Sequence, residues 1–344
     1  MTFKITLQPG RQSFPADPAT NLLQAALDAE LVVPYGCRDG ACGACRARVV
    51  SGEVDHGRSP LATLPDAERA AGMALMCCAH ARSDLVLECR EVRALHDIPV
   101  RKLPCRIQAL ERLAPDVMRM QLRLPAGDAF LFQPGQYIDF LLADGQRRSF
   151  SIANAPQADN MLELHVRLIP DGHFTPRVFD QLKPRDILRI EGPLGSFFLR
   201  EASTPEAVPP LVFLAGGTGI APLKAIVEDL IAHGAARDIA LYWGARDIAG
   251  LYLDGLAHAW QSALPGLRYI PVISDEAPDG WHGRTGLVHH AVLADLPDLS
   301  AHHVYACGSP AMIEAARADF CTRGGLAADN FHADAFTFSR PDGA

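Results

Sequence analysis

The stretch Pro34-Tyr35-Gly36-Cys37-Arg38-Asp39-Gly40-Ala41-Cys42-Gly43-Ala44-Cys45 constrains this chain more than any other. Its three cysteines have the spacing C-x4-C-x2-C, and a fourth candidate, Cys77, follows 32 positions after Cys45. That is the plant-type spacing for a 2Fe-2S cluster. Iron binds thiolate, so several cysteines must converge on a compact group from a loop rather than from one helix face. Gly36, Gly40 and Gly43 let such a loop turn tightly and bring backbone N–H groups near sulfur, which tunes the cluster potential. Zinc usually takes two separated C-x2-C pairs, and only one stands here. A disulfide framework needs an oxidising compartment, of which the sequence gives no sign.

The chain is 344 residues long, enough for two or three domains. A net charge of -8 argues against duplex nucleic acid as a partner. The first ten residues lack the apolar core of a signal peptide, and the apolar run Val208–Ala215 is too short to span a bilayer. The expectation is a cytoplasmic monomer that engages no membrane. Nine cysteines in that setting suggest reduced thiols and metal ligation.

Phe3-Lys4-Ile5-Thr6-Leu7-Gln8 alternates as a half-buried strand. Thr20 reads as the N-cap of a helix over Asn21 to Ala29, with Leu22, Leu23, Ala26 and Leu27 inward. After the cysteine loop, Arg46 to Val50 reads as a strand, Glu68 to Met73 as a helix, and Ser83 to Glu88 as a closing strand. Cys77 and Cys78 are adjacent, so only one is the fourth ligand; Cys78, Cys89, Cys105 and Cys321 read as packing residues.

Residues 94–102 mix charge, proline and apolar side chains and read as a linker. Strands then follow at Met118–Leu124, Tyr137–Leu142, Leu162–Leu168 and Ile187–Glu191, spaced as in a small antiparallel barrel. A flavin dinucleotide needs a pyrophosphate clamp, a flat apolar contact for its ring and a hydrogen-bond donor near N5. Arg148 supplies the clamp, Phe150 the ring contact and Ser151 the donor. Leu164-His165-Val166-Arg167 and Gly172-His173-Phe174-Thr175 form the next pattern, in which Gly172 and Thr175 let N–H and hydroxyl approach phosphate. His165, Arg167 and Phe174 join the cofactor-binding set.

Leu211 to Ala215 is a continuous apolar run, as for a buried parallel strand, and enters Gly216-Gly217-Thr218-Gly219-Ile220-Ala221-Pro222 and a helix from Leu223 to Ala232. Strand, glycine loop and helix make a dinucleotide phosphate site through Gly217, Thr218, Gly219 and Pro222. Arg246 falls near the adenosine ribose, where it could pair with a 2′-phosphate, but Asp247 beside it would repel one. The reading is NADH, with NADPH left open. His289-His290 and His302-His303 read as surface residues, and the histidines as forming no ligand cluster.

Several of these patterns resemble known families. Residues 1–93 resemble the plant-type ferredoxin, a β-grasp, whose pattern makes Cys77 the fourth ligand because it lies two residues after Leu75. Arg148-Ser149-Phe150-Ser151 resembles the R-x-Y-S signature of the ferredoxin–NADP reductase superfamily, with Phe150 in place of tyrosine, so stacking survives and a phenol hydroxyl is lost. The resemblance implies FAD, although some related reductases use FMN with a different domain order. GGTG-x-x-P and Cys307-Gly308-Ser309-Pro310-Ala311-Met312 resemble the nicotinamide domain of the same superfamily, in which the cysteine stands beside nicotinamide C4 and aligns hydride transfer. Phe331 to Phe338 resembles its acidic–x–aromatic tail, which implies Asp334 near flavin N5 and Phe336 over the flavin face.

The implied architecture is multidomain, α+β and α/β. A ferredoxin domain at 1–93 and a linker at 94–102 precede an antiparallel six-stranded FAD barrel at 103–204 and a parallel α/β NAD(P) domain at 205–344. The whole chain resembles ferredoxin-fused reductase components, above all the CDP-6-deoxy-delta-3,4-glucoseen reductase group, on Tyr35–Cys45, Gly52–Gly57, Arg147–Ser151 and Gly192–Arg200. The implied partner is a nucleotide-sugar dehydrase or a terminal oxygenase (ring-hydroxylating or cytochrome P450). A free-standing flavin or ferric reductase is the alternative. A redox-responsive binding protein is a third reading, and the full hydride pathway argues against it.

Overall fold

Three sheets carry the three sets of motifs. The computed structural model describes residues 2–89, 93–94, 98–127, 130–157, 159–200, 208–275, 277 and 279–337. Residues 95–97 of the expected linker, the expected domain boundary at 204/205 and Phe338 of the tail motif lie outside the described residues. The chain divides into two compact units. The first comprises the described residues of Met1–Pro99, Gly195–Phe197 and Ala333–Phe338; the second takes Val100–Leu194 and Phe198–His332.

In the first unit, β1 (Phe3–Gln8), β2 (Ser13–Ala16), α1 (Leu22–Asp28) and β3 (Leu31–Val32) precede the cysteine loop. After it come β4 (Arg46–Ser51), β5 (Val54–Asp55), α2 (Asp66–Ala70), β6 (Met73–Leu75), β7 (His80–Ala81), β8 (Leu85–Glu88) and β9 (Arg93–Ala94). The main sheet has the order β2-β1-β8-β4-β6, with β1 parallel to β8 and the other pairs antiparallel. The alternation in β1 puts Ile5 and Leu7 wholly inside, and Leu22 and Ala26 on the α1 face are wholly buried as well. Asn21, not Thr20, caps α1: its side chain accepts from the Gln24 N–H at 2.8 Å. The chain straightens at Met73, so the helix expected over Glu68–Met73 is the shorter α2 followed by β6.

In the second unit, β10 (Arg101–Ala114), β11 (Val117–Arg123), β12 (Tyr137–Leu141), β13 (Arg147–Ser151), β14 (Met161–Arg167), α3 (Thr175–Asp180) and β15 (Ile187–Leu194) build an antiparallel sheet. Its order is β13-β12-β15-β10-β11-β14. β10 claims the last two residues of the expected linker and pairs with β15 along its first half and β11 along its second, with register shifts at Ile107/Ala109 and Arg112/Ala114. Ile107, Met120, Leu122, Ile138, Phe140, Leu164, Val166 and Ile190 fill the interior from alternate strand positions.

β16 (Leu211–Gly216), α4 (Ile220–Ala232), β17 (Ile239–Ala245), α5 (Asp254–Ala263), β18 (Leu267–Ile273), β19 (Arg284–Thr285), α6 (Val288–Asp295), β20 (His303–Gly308), α7 (Pro310–Thr322) and β21 (Phe331–Ala335) complete the chain. The sheet order is β19-β18-β17-β16-β20-β21, and the pairs from β19 to β20 are parallel. β17 and β18 extend one way from β16 while β20 lies on its other side. The crevice where that direction reverses, at the carboxyl ends of β16 and β20, is where open α/β sheets bind ligands.

Candidate functional site

The cysteine loop follows β3 and holds its shape with local hydrogen bonds. Gly40 (φ +76°) and Gly43 (φ +71°) take the left-handed turns on either side of Cys42. The Asp39 and Cys42 N–H groups donate to Cys37 Sγ at 3.4 and 3.3 Å, and the Ala44 N–H donates to Cys42 Sγ at 3.4 Å. Cys45 Sγ lies 3.2 Å from Cys77 Sγ. The thiol of Cys42 beside it pushes the Cys37 thiol above its ordinary value, and that of Cys37 holds Cys42 below it. Iron would take such crowded thiols as thiolates. Buried thiols, converging sulfurs and N–H donors aimed at them fit a 2Fe-2S cluster held by Cys37, Cys42, Cys45 and Cys77. Cys78 Sγ is 3.6 Å from Cys77 Sγ and sits under Gly40, where an added Cβ would come within 2.9 Å of it.

Two segments distant in sequence complete this unit. Ser196 Oγ accepts from the Tyr35 N–H and donates to the Tyr35 carbonyl, both at 2.7 Å, and so clamps the backbone two residues before Cys37. Asp334, expected beside the flavin, is buried with its Oδ1 over Gly36, 3.2 Å from where a Cβ would stand, and its charge acts on Cys42. Phe336 follows it, half-buried. Serine in a Gly-rich turn gave no signal of the Ser196 clamp.

On β13, Arg148 and Phe150 share one face and Ser149 the other, as strand alternation requires. Phe150 meets Phe140 and Phe174 at 5.7 Å each, and those two rings are 4.9 Å apart. Arg148 donates to the Arg147 carbonyl and the Gln146 side chain, and Ser151 is buried at the strand end. The Thr175 hydroxyl accepts from the Ile169 N–H at 2.9 Å, closing the loop in which Gly172 turns. An arginine and an aromatic face side by side on one strand fit a dinucleotide with a flat ring.

At the crevice, a 3₁₀ turn over Gly217–Gly219 leads into the N-terminus of α4, where free N–H groups favour phosphate. Gly217 has φ +53°, and a Cβ there would come within 2.6 Å of Arg167 Nη1. Arg167 therefore stands over the glycine turn. A Cβ on Gly219 would collide with the Cys307 carbonyl, so β20 and the turn touch backbone to backbone. Thr218 and Pro222 are buried at the turn and the first helical residues, and Cys307 is wholly buried at the end of β20. Gly308 packs there against Met312 and Gly216. Arg246 is exposed just past β17, and the Asp247 side chain accepts from the Gly250 N–H at 2.9 Å. These residues meet at the carboxyl ends of the parallel strands, as a nicotinamide dinucleotide site requires.

A buried polar chain beneath this crevice is the main feature that sequence reasoning missed. Lys224 of α4 is 6% exposed. Its ammonium donates to the Ala153 carbonyl and Glu228 Oε2, each at 2.9 Å, and pairs with Glu163 Oε1 at 3.2 Å. Burial pushes the Glu163 carboxyl up, but the His165 hydrogen bond and the Lys224 charge outweigh it and hold it at about 2. Burial holds the His165 imidazole below its ordinary value. Its Nε2 lies 3.0 Å from Glu163 Oε1 and its Nδ1 3.0 Å from the Tyr252 hydroxyl. Both ring nitrogens of His165, expected in the cofactor-binding set, meet partners within the protein. The signal for this chain was a lone Lys224 amid apolar helix positions, with Glu228 one turn on.

Elsewhere, His289 is buried rather than on the surface, and His289, His290 and Asp319 bring ligand-type atoms within 4.8 Å of one another. Arg323 lies 3.4 Å from the same Asp319 carboxylate and already balances it. Cys105 is a packing thiol, pushed up to about 12 by burial. Among the described residues no helix is long and apolar enough to cross a membrane.

Three family models match successive parts of the chain: a 2Fe-2S iron-sulfur cluster binding domain at residues 5–82, an oxidoreductase FAD-binding domain at 104–199 and an oxidoreductase NAD-binding domain at 213–318. The chain is 43% identical over 340 residues to the CDP-6-deoxy-L-threo-D-glycero-4-hexulose-3-dehydrase reductase of Yersinia pestis, covering 99% of this chain and 100% of that one. It is 36% identical over 341 residues to reductase component 1 of terephthalate 1,2-dioxygenase from Comamonas sp., covering 98% of each. Its fold matches the crystal structure of an Amycolatopsis cytochrome P450 reductase with a TM-score of 0.77 at 35% identity, over 98% of this chain and 99% of that one.

Proposed function

The chain belongs to the ferredoxin-fused iron–sulfur flavoprotein reductases of the ferredoxin–NADP reductase superfamily, and on that footing we propose that the enzyme it serves is a nucleotide-sugar dehydrase. It is an NAD(P)H-dependent oxidoreductase whose relatives are reductase components for a CDP-hexulose dehydrase and for oxygenases. Bound FAD and a 2Fe-2S cluster supply the conversion of a hydride pair into single electrons. Cys37, Cys42, Cys45 and Cys77 would hold the cluster, with Ser196 fixing the loop through Tyr35. Arg148, Phe150, Ser151, Gly172, Phe174 and Thr175 would hold the flavin in a six-stranded barrel formed by the β10–β15 sheet. Gly217, Thr218, Gly219, Pro222 and Gly308 would seat the dinucleotide, Arg167 would neutralise its phosphates, and Cys307 would close the nicotinamide side. The negative charge of Asp247 favours NADH, and a cytoplasmic location accords with nine free cysteines.

The observation that carries the choice of partner is the 43% identity along the complete Yersinia pestis relative, against 36% for the dioxygenase component. The test supplies the purified reductase and NADH to a CDP-4-keto-6-deoxyhexose 3-dehydrase with its sugar substrate, and in parallel to a terephthalate-type oxygenase. NADH consumption coupled to deoxygenation of the sugar is expected, and coupling to the oxygenase alone would overturn the choice. Cys37→Ser separates this reading from a free-standing flavin reductase. NADH–ferricyanide activity should survive while reduction of the partner or of cytochrome c collapses; unchanged cytochrome c reduction would sink the relay through the cluster.

A further inference from the structure

We propose that Lys224 is a positioning residue for hydride transfer, a buried ammonium that locks the dinucleotide turn to the flavin-side strand β14. The inference rests on the reductase reading of the two sites and adds to it the part that sets their spacing.

Lysine is rarely buried unless paired, and a buried ammonium must satisfy three N–H donors. Lys224 donates to Ala153 O and Glu228 Oε2 at 2.9 Å and forms an ion pair with Glu163 Oε1 at 3.2 Å. The partners span both candidate sites. Lys224 lies five positions after Gly219 on the helix that leaves the glycine turn, and Ala153 lies two after Ser151. Glu163 belongs to β14, whose Arg167 covers Gly217. From Glu163 the chain runs through His165 to the Tyr252 hydroxyl, in two contacts of 3.0 Å. The ionised carboxylate accepts the Nε2 proton, so Nδ1 accepts the Tyr252 proton. Tyr252 meets the Trp243 ring edge-on at 5.2 Å, and Trp243 Nε1 donates to the Gly217 carbonyl at 2.9 Å.

The path is therefore a ring. It leaves the glycine turn along α4, crosses to the barrel at Ala153 and Glu163, and returns to the carbonyl of Gly217. A ring that includes charge-assisted bonds holds the turn in one register against β14 and the segment that follows β13. Hydride transfer demands such a register, because a misplacement of about 1 Å costs on the order of 100-fold in rate.

The experiment follows anaerobic flavin reduction of the holoenzyme by stopped flow with saturating NADH. The variants are Lys224→Met, Lys224→Arg, and Tyr252→Phe, which removes one hydroxyl from the far side of the ring. In Lys224→Met, with FAD and iron content matching the parent, the limiting rate should fall about 100-fold. The apparent NADH affinity should move by less than about threefold, and the primary deuterium isotope effect from 4-deuterated NADH should grow. Lys224→Arg should recover part of the rate, and Tyr252→Phe should slow the same step several-fold. A parental rate in either Lys224→Met or Tyr252→Phe, or a loss confined to FAD content and thermal stability, would overturn the proposal. If Lys224→Met does not fold, Tyr252→Phe decides alone. A parent protein that NADH does not reduce would instead refute the reductase reading, and that outcome is visible before any variant is made.

Discussion

Acid should weaken this protein through one histidine whose burial can be read directly. His332 of β21 lies with its ring 4.6 Å from Tyr305 and 5.8 Å from His303, and its Nε2 is buried without a hydrogen-bond partner among the described residues. Burial, with Arg200, His303 and Arg317 adding like charge, lowers its pKa from 6.5 to about 3. The sign follows from proton counting. Above pH 6.5 the imidazole is neutral whether the chain is folded or unfolded, and His332 contributes no pH dependence. Below 6.5 the unfolded chain takes up a proton that the folded chain refuses until about pH 3, so folding stability falls as pH falls through that window. Between pH 8 and pH 5 the loss from this residue alone is about 2 kcal/mol, at ~1.4 kcal/mol per pH unit. His332→Phe keeps a ring against Tyr305 and cannot take the proton. Urea unfolding followed by tryptophan fluorescence, at pH 8 and pH 5 for both proteins, isolates the effect as a difference of differences. Other histidines with lowered values that do not touch His332, such as His165 and His289, cancel in that comparison. The parent should lose about 2 kcal/mol more than the variant over this range. Equal losses, or an NMR titration showing His332 protonating near pH 6.5, would refute the reasoning.

Further outcomes follow from the site geometry. Cys77→Ser should abolish the visible and EPR signatures of the cluster, whereas Cys78→Ser should keep them; the reverse pattern would reassign the fourth ligand. Gly219→Ala drives a methyl group into the backbone of Cys307 and Gly308, neither of which yields as a flexible side chain would. It should cost about 1–3 kcal/mol of stability and remove NADH oxidation while FAD is retained, as checked by flavin absorbance and steady-state rates. Asp247→Asn keeps the cap on Gly250 and removes one negative charge near the expected ribose site. The NADPH-to-NADH ratio of kcat/KM should rise about fivefold, an effect of ~1 kcal/mol, and an unchanged ratio would move the 2′ position away from this residue.

What the sequence disclosed and what it concealed divide along one physical line. The cysteine loop and the glycine turn were legible because their chemistry is local: sulfurs and left-handed glycines must fall within a few positions of one another to work at all. β10 was not legible, because Pro104 and alternating charges hide a strand that is stabilised by two different neighbours and bent by register shifts. Asp334 and Ser196 were visible only as parts of resembling segments, and their contacts with Gly36 and Tyr35 cross 298 and 161 positions. The polar ring is the extreme case. Ala153 and Lys224 are 71 positions apart, and His165 and Tyr252 are 87 apart, so no window of the sequence contains the pair that explains either member. β14 shows why that matters for function. Glu163, His165 and Arg167 share one strand face by alternation, and in sequence only His165 and Arg167 read as cofactor residues. In the fold, Glu163 and His165 carry the polar ring and Arg167 covers Gly217. A single strand of the flavin sheet thereby positions the dinucleotide turn, and the two cofactor sites share one frame.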